Sequence, residues 1–388
     1  MRKNKLNLIS GWDLANIEKY KMSNSKTIRF TDAFTAYLVH RTSNIKHRIL
    51  CLLLFVLFFS WSGSSQDLHF SQFMNSPLAT NPANTGFMPE GDYRLGINYR
   101  NQWSSIMAIP YKTMSAFGDV QVLQNENNDG WLGVGGLILR DVAGSGNLTS
   151  TKVYGSVAYH QMLNLGSLLS LGFNVGLANK QINVTNLKFP DQFDGHFFDG
   201  HLPTSVSLAT NNINYLDIQA GMNYAYFPDE NTYFNVGFST AHVNRPRESF
   251  FEQQTGVDNR IPVRHTAFIN GSFKLNDQWI VNPNSYFSLQ AKSYEWLLGV
   301  NAHYNLSGDG ENVLIGGLYY RSSDAVIPMI GLGYKDFNFT FTYDATISTL
   351  KNYNNTRGAF EFSLIKQGVF DRYRGNRQQS MCPSFKTY

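Results

Sequence analysis

The chain has 388 residues, of which 43% are hydrophobic, 14% aromatic and only 15% charged; soluble domains usually carry about 25% charged residues. Its formal charge of +4 misleads, because residues 1–65 hold ten Lys/Arg and three Asp/Glu, leaving 22 Lys/Arg against 25 Asp/Glu in the rest. A slightly acidic remainder excludes a basic nucleic-acid-binding surface, and a mean hydropathy of −0.27 goes with few charges and many aromatics in a chain whose strands face lipid on one side only.

Residues 1–65 read as a leader. Lys46, His47 and Arg48 precede the apolar run Ile49 to Phe59, and Ser60-Trp61-Ser62-Gly63-Ser64-Ser65 comes after it. This is the order of a secretory signal peptide, with cleavage expected just before Gln66. The run is about half of what a helical bilayer span needs. Cys51 lies early in the run rather than after it, which speaks against a lipoprotein cysteine. Cleavage leaves Cys382 as the one cysteine of the exported chain, so an internal disulfide is excluded there.

Residues 66–92 form a segment expected in the periplasm or the lumen. From Tyr93 the dominant signal has period two. Leu169, Leu171, Phe173, Val175 and Leu177 alternate with Ser170, Gly172, Asn174 and Gly176. Phe337, Phe339, Phe341 and Tyr343 alternate with Asn338, Thr340, Thr342 and Asp344. Such runs are about ten residues long, as tilted membrane strands require, and their polar faces suit a wet or loosely filled lumen. Fourteen strands are predicted near 93–103, 111–122, 131–141, 148–160, 167–181, 213–227, 232–243, 263–275, 279–291, 295–305, 312–321, 326–334, 337–346 and 357–366. The fold class is therefore all-β, a transmembrane outer-membrane barrel of about 14 antiparallel strands over residues 93–366. Closure is required, because an open edge in lipid leaves backbone groups unpaired.

Connection lengths sort by parity. Asn125 to Gly130, Pro228 to Asn231, Asn276-Asp277, Ser307 to Glu311 and Lys335-Asp336 are short, whereas the alternate set contains Asn183 to Asn212, Asn244 to Pro262 and Ile347 to Thr356. Short periplasmic turns and longer extracellular loops are the barrel rule. It orients the chain with both ends inward, including a basic tail over 367–388.

Chemistry is sparse. No nucleophile elbow, P-loop, dinucleotide fingerprint or His-Glu-x-x-His is present, and Gly133, Gly135 and Gly136 sit inside a strand pattern, where they relieve crowding. Asp191, Asp194, His196, Asp199 and His201 crowd the longest loop. Their spacing matches no established metal loop, and Asp and Gly are ordinary turn formers. Asp344, His242 and His265 read as lumen or rim polar groups. No catalytic, cofactor-binding or metal residue is assigned, and the chain is not expected to be an enzyme.

The segment opening at Gln66-Asp67-Leu68-His69-Phe70-Ser71-Gln72-Phe73 continues through Ser76-Pro77-Leu78, Asn81-Pro82-Ala83 and Gly86 to Tyr99-Arg100-Asn101-Gln102-Trp103. With Phe189-Pro190-Asp191-Gln192, Asn244-Arg245-Pro246, Gly317-Leu318-Tyr319-Tyr320-Arg321, Asp324-Ala325, Tyr343-Asp344-Ala345-Thr346-Ile347-Ser348 and the Cys382-Pro383-Ser384-Phe385 ending, the chain resembles the PorP/SprF family of type IX secretion system membrane proteins of Bacteroidetes. Leu68 departs from the proline common there. The resemblance implies an outer-membrane barrel that supports export or surface attachment of secreted proteins, in gliding relatives large adhesins bound through a C-terminal domain. Implied partners are that cargo, the type IX machinery and outer-membrane lipid. The competing readings are a passive channel or hydrophobic-solute transporter and, more remotely, a barrel-embedded lipase.

Overall fold

A strand that alternates apolar and polar residues has to place the two sets in different media. In the computed structural model it does so inside out relative to a soluble sheet. The structure describes residues 70–370 apart from 89–90, 108, 125–128, 145–146, 184–186, 188, 200, 207 and 253–257. The leader, the cleavage site, Cys382 and most of the basic tail lie outside the described residues.

The strands are β1 (Tyr93–Gln102), β2 (Tyr111–Val122), β3 (Gly130–Ala143), β4 (Leu148–Asn164), β5 (Ser167–Gln181), β6 (Asn212–Asp229), β7 (Thr232–Ala241), β8 (Arg264–Lys274), β9 (Trp279–Gln290), β10 (Ser293–Asn305), β11 (Asn312–Arg321), β12 (Ala325–Tyr334), β13 (Phe337–Thr346) and β14 (Arg357–Gly368). Each pairs antiparallel with its chain neighbours, and β1 pairs β14 from Tyr93–Gly368 to Gln102–Ala359, closing the barrel. All fourteen predicted strands are found; the largest boundary difference is at β4, which runs on to Asn164.

On β5 the apolar set is the exposed one: Leu171 is 52% exposed, Phe173 55% and Leu177 68%, while Ser170 and Asn174 are fully buried. An outer surface of this kind is stable only against lipid. Among the described residues no helix is long and apolar enough to cross a membrane, so the crossing falls to the strands. Exposed Tyr226, Trp279 and Tyr334 ring the end with the short connections, the turn end, and Tyr294, Trp296 and Tyr320 ring the opposite, loop end. Such girdles occupy the two membrane interfaces of a barrel.

The lumen is where expectation and structure part. Rather than wet or loosely filled, it is packed by residues 70–88 of the chain itself. Two prolines set the path of this coil. Pro77 opens a four-residue helix, α1 (Pro77–Thr80), and Pro82 opens a 3-10 turn in which the Asn81 side chain accepts from Ala83 N–H at 2.9 Å. Proline is favoured at a first helical position because its missing N–H would go unpaired there. Three large side chains anchor the coil in three apolar clusters of the wall: Phe73 with Phe268, Tyr286 and Leu297; Leu78 with Phe117, Leu137 and Tyr154; Phe87 with Trp131, Met162 and Leu168. Each fully buried residue of this kind contributes roughly 1.5–3 kcal/mol.

Glycines in the wall admit the coil. A Cβ on Gly133 would lie 1.9 Å from the Thr85 carbonyl oxygen, and one on Gly172 would lie 2.4 Å from the Pro82 carbonyl carbon. Gly136, which faces outward, would meet nothing nearer than 3.6 Å. Gly133→Val should therefore lower the midpoint of barrel heat-modifiability on SDS gels, by an overpacking cost of about 1–3 kcal/mol or more. Gly136→Val should leave it unchanged. Equal midpoints for the two variants would contradict this packing.

Candidate functional site

The described lumen is divided by the coil into two vestibules. At the loop end a cavity of about 730 Å³ is lined by Arg100, Lys152, Lys180, His242, Glu248 and Gln290. At the turn end a cavity of about 310 Å³ has several carboxamides in its lining, among them Asn84, Asn235, Asn270, Asn284 and Asn338.

Charge holds the loop-end start of the coil. Arg100 of β1 pairs with Asp344 of β13 at 2.9 Å and with Glu361 of β14. Arg321 of β11 pairs at 3.0 Å with Glu295, Asp324 and Asp344. All but Asp324 are buried. The coil enters this lattice through Ser71 and Gln72. Their amides donate to the two Glu361 carboxylate oxygens at 2.7 and 3.0 Å. The Ser71 hydroxyl donates to Asp344 at 3.0 Å and accepts from Arg100 at 2.7 Å and from Arg321. Five strands and the coil thus share one set of buried charges, and each charge depends on the others for compensation.

The turn-end half is held by directional polar contacts. Gly86 N–H donates to Asp119 at 2.8 Å, and Arg94 pairs with the same carboxylate at 2.7 Å. Trp131 Nε1 donates to the Gly86 carbonyl at 2.9 Å. His160 stacks on Trp131 and places Nε2 2.8 Å from the Thr85 carbonyl, which can only accept, so Nε2 carries the proton. In mid-lumen Asn81 Nδ2 donates to the Met222 carbonyl at 2.9 Å.

The other polar residues singled out in the sequence separate. Asp344 belongs to the ion lattice. His242 is buried at the loop end with Nδ1 2.9 Å from Asp217, whose other oxygen accepts from Tyr154 at 2.6 Å. His265 faces outward and stacks on Phe238. These three do not converge. In the long loop, Asp191 accepts from Ser205 N–H at 2.6 Å and from the Ser205 and Thr204 hydroxyls, and Asp194 accepts from His196 and Phe197 N–H. The Ser205 contacts hold the Asp191 carboxyl below the usual carboxylate range, and the Phe197 and His196 amides do the same for Asp194. Asp199 accepts from His201 N–H at 2.9 Å. The acids thus shape turns, and among the described residues no group of three or more His, Cys, Asp or Glu is placed to hold a metal ion. The same loop presents Phe193, Phe197 and Phe198 to solvent, and the second long loop presents Phe251.

Removing one buried partner from the lattice leaves the rest uncompensated, at about 3–5 kcal/mol. Arg321→Met should destabilise the folded barrel by that order in urea unfolding. Arg245→Met, at the exposed pair with Asp258, should change it by about 0–1 kcal/mol. A lattice variant as stable as the exposed one would count against the coil being held by charge.

Among solved structures, a FadL homologue of Pseudomonas aeruginosa is 9% identical over 74% of this chain and 92% of its own, with a TM-score of 0.45. The toluene transporter TbuX of Ralstonia pickettii is 11% identical over 79% and 96%, with a TM-score of 0.46, and the toluene transporter TodX of Pseudomonas putida is 13% identical over 76% and 94%, with a TM-score of 0.45. At these values the likeness carries nothing about function. No curated protein matches the chain. The family model for type IX secretion system membrane proteins PorP/SprF matches residues 62–365, which takes in both the lumenal coil and the barrel. The chain belongs to the PorP/SprF family of type IX secretion system membrane proteins.

Proposed function

We propose that this barrel serves type IX secretion by holding an exported protein at its loop end, on the outside of the cell, rather than by passing a solute through its lumen. The observation that carries this reading is the coil of residues 70–88: among the described residues it fills the middle of the lumen with buried side chains beside a buried ion lattice and leaves the larger cavities at the two ends. The connections set the orientation. The long ones, 182–211 and 242–263, lie at one end, and every connection at the other end is short; long loops of such barrels face out. The exposed phenylalanines of those loops are the residue type that anchors protein interfaces. The turn end and the basic tail then face the periplasm, where the secretion machinery can reach them. The alternative, a passive channel or hydrophobic-solute transporter, requires the coil to leave its three apolar clusters.

Two experiments test the reading. Labelling of single cysteines in intact cells should reach positions 195 and 248 but not 229 or 309; labelling at 309 would reverse the orientation. Deletion of the gene should strip one or a few large proteins from the cell surface while leaving the outer membrane intact. Shortening the loop between Phe189 and Pro203 should reproduce that loss with normal heat-modifiability, since loops tolerate deletion better than strands do. An unchanged surface proteome in the deletion strain, together with lost uptake of a small solute, would promote the transporter.

A further inference from the structure

The barrel wall has a step at β6. Strand β6 pairs with β5 along its length, from Asn212–Gln181 to Tyr226–Ser167, but its pairing with β7 begins only at Ala220–Thr240. The cause is His242, just past the end of β7, which takes a left-handed backbone (φ +58°) and turns its ring inward onto Asp217. A buried partner fixes this unusual conformation for a non-glycine residue, and the chain leaves the sheet there.

Beyond His242 the chain keeps contact with β6 by other means. Val243 N–H donates to the Ile218 carbonyl at 3.0 Å. The Asn244 side chain then replaces a peptide group: its Oδ1 accepts from Ile218 N–H at 3.2 Å, and its Nδ2 donates to the Leu216 carbonyl at 2.6 Å. The edge of β6 is therefore already read, one step past β7, by a carboxamide with the donor and acceptor of a peptide. Thr210 closes the far end through its hydroxyl, which bonds both the N–H and the carbonyl of Asn212. Between these caps the Leu216 N–H and both backbone groups of Asn214 point to the same side by the period of the strand. They have no partner among the described residues. Asn212, Asn214 and Leu216 are exposed, and the stretch lies at the loop end beside both long loops.

We infer that this edge of β6, centred on Asn214, receives an extended strand of the exported protein, which adds to the wall where β7 departs. The inference rests on the proposed function and specifies where the cargo is gripped. An unpaired edge selects its partner by backbone chemistry, because alternating N–H and C=O groups at strand spacing are what an extended polypeptide supplies. Asn244 has the local role of capping the last paired step and turning the chain away, which leaves the groups beyond it open.

The geometry provides a clean variant. Both backbone groups of Asn214 face the open edge, so proline there removes no bond to β5, and proline is tolerated on edge strands. Asn214→Ala keeps the edge intact. In the full chain expressed in its own cells, Asn214→Pro should reduce surface retention of the cargo by about tenfold against Asn214→Ala, because proline removes the central N–H donor of the edge and sets its ring against an added strand, at unchanged heat-modifiability. A photo-crosslinking amino acid at position 214 should capture the same protein that the deletion strain loses; one placed at Phe197 serves as a loop reference. Capture at 197 with none at 214, or equal retention by the two Asn214 variants, would overturn strand addition while leaving the cargo-holding function standing. A crosslinked dimer of this chain at 214 would assign the edge to self-association instead and would also overturn it. Absence of capture at both positions, with an unaltered surface proteome in the deletion strain, would remove the underlying function as well.

Discussion

The structure depends on one constraint: the polar inner face of the wall has to be satisfied from within. Fourteen strands that turn leucine, valine and phenylalanine to lipid necessarily turn asparagine, serine and ionised side chains inward. An unpartnered charge in that space is costly, and pairs are tolerated only when their hydrogen bonds are complete. The coil supplies part of that compensation. Ser71 alone joins Arg100, Arg321, Asp344 and Glu361, residues drawn from four strands on both sides of the barrel seam. The seam between β1 and β14 is bridged by Arg100 and Glu361, and the coil bonds to the same two side chains.

The wall was legible in the sequence because its determinants are local. Alternation along β5 or β13 reads directly as lipid face and lumen face, and the parity of connection lengths separates the two ends. The coil was not legible in this way. Residues 70–88 have no strand or helix period, since a segment surrounded on every side has no solvent face to record. Its partners are remote: Ser71 meets Asp344, 273 positions away. The signals it does leave are indirect. One is the pair of proline turns at Ser76-Pro77 and Asn81-Pro82. The other is glycine at inward positions such as Gly133 and Gly172, which relieve crowding against the coil rather than within the wall. The Asp217–His242 contact was missed for a related reason. His242 reads from the sequence as a lumen or rim polar group, but the left-handed turn that brings its ring onto Asp217 is set by tertiary packing.

The Asp and His residues of the long loop illustrate the opposite case, a pattern that suggests chemistry and serves geometry. Asp194 and Asp199 accept from amides two or three residues on, and Asp191 from Ser205 fourteen positions away, so the acids fold the loop that exposes its phenylalanines. The chain belongs to a family of type IX secretion membrane proteins. The described residues present a filled lumen, exposed phenylalanines on the long loops and an open stretch of strand edge on β6.

The most direct test of a lumen filled by its own chain is electrical. The purified protein, reconstituted in a planar bilayer at neutral pH, should insert without giving a steady channel, because the coil is held at both ends by buried contacts. Stable, long-lived conductance steps of the size expected for an empty fourteen-stranded barrel would contradict the filled lumen.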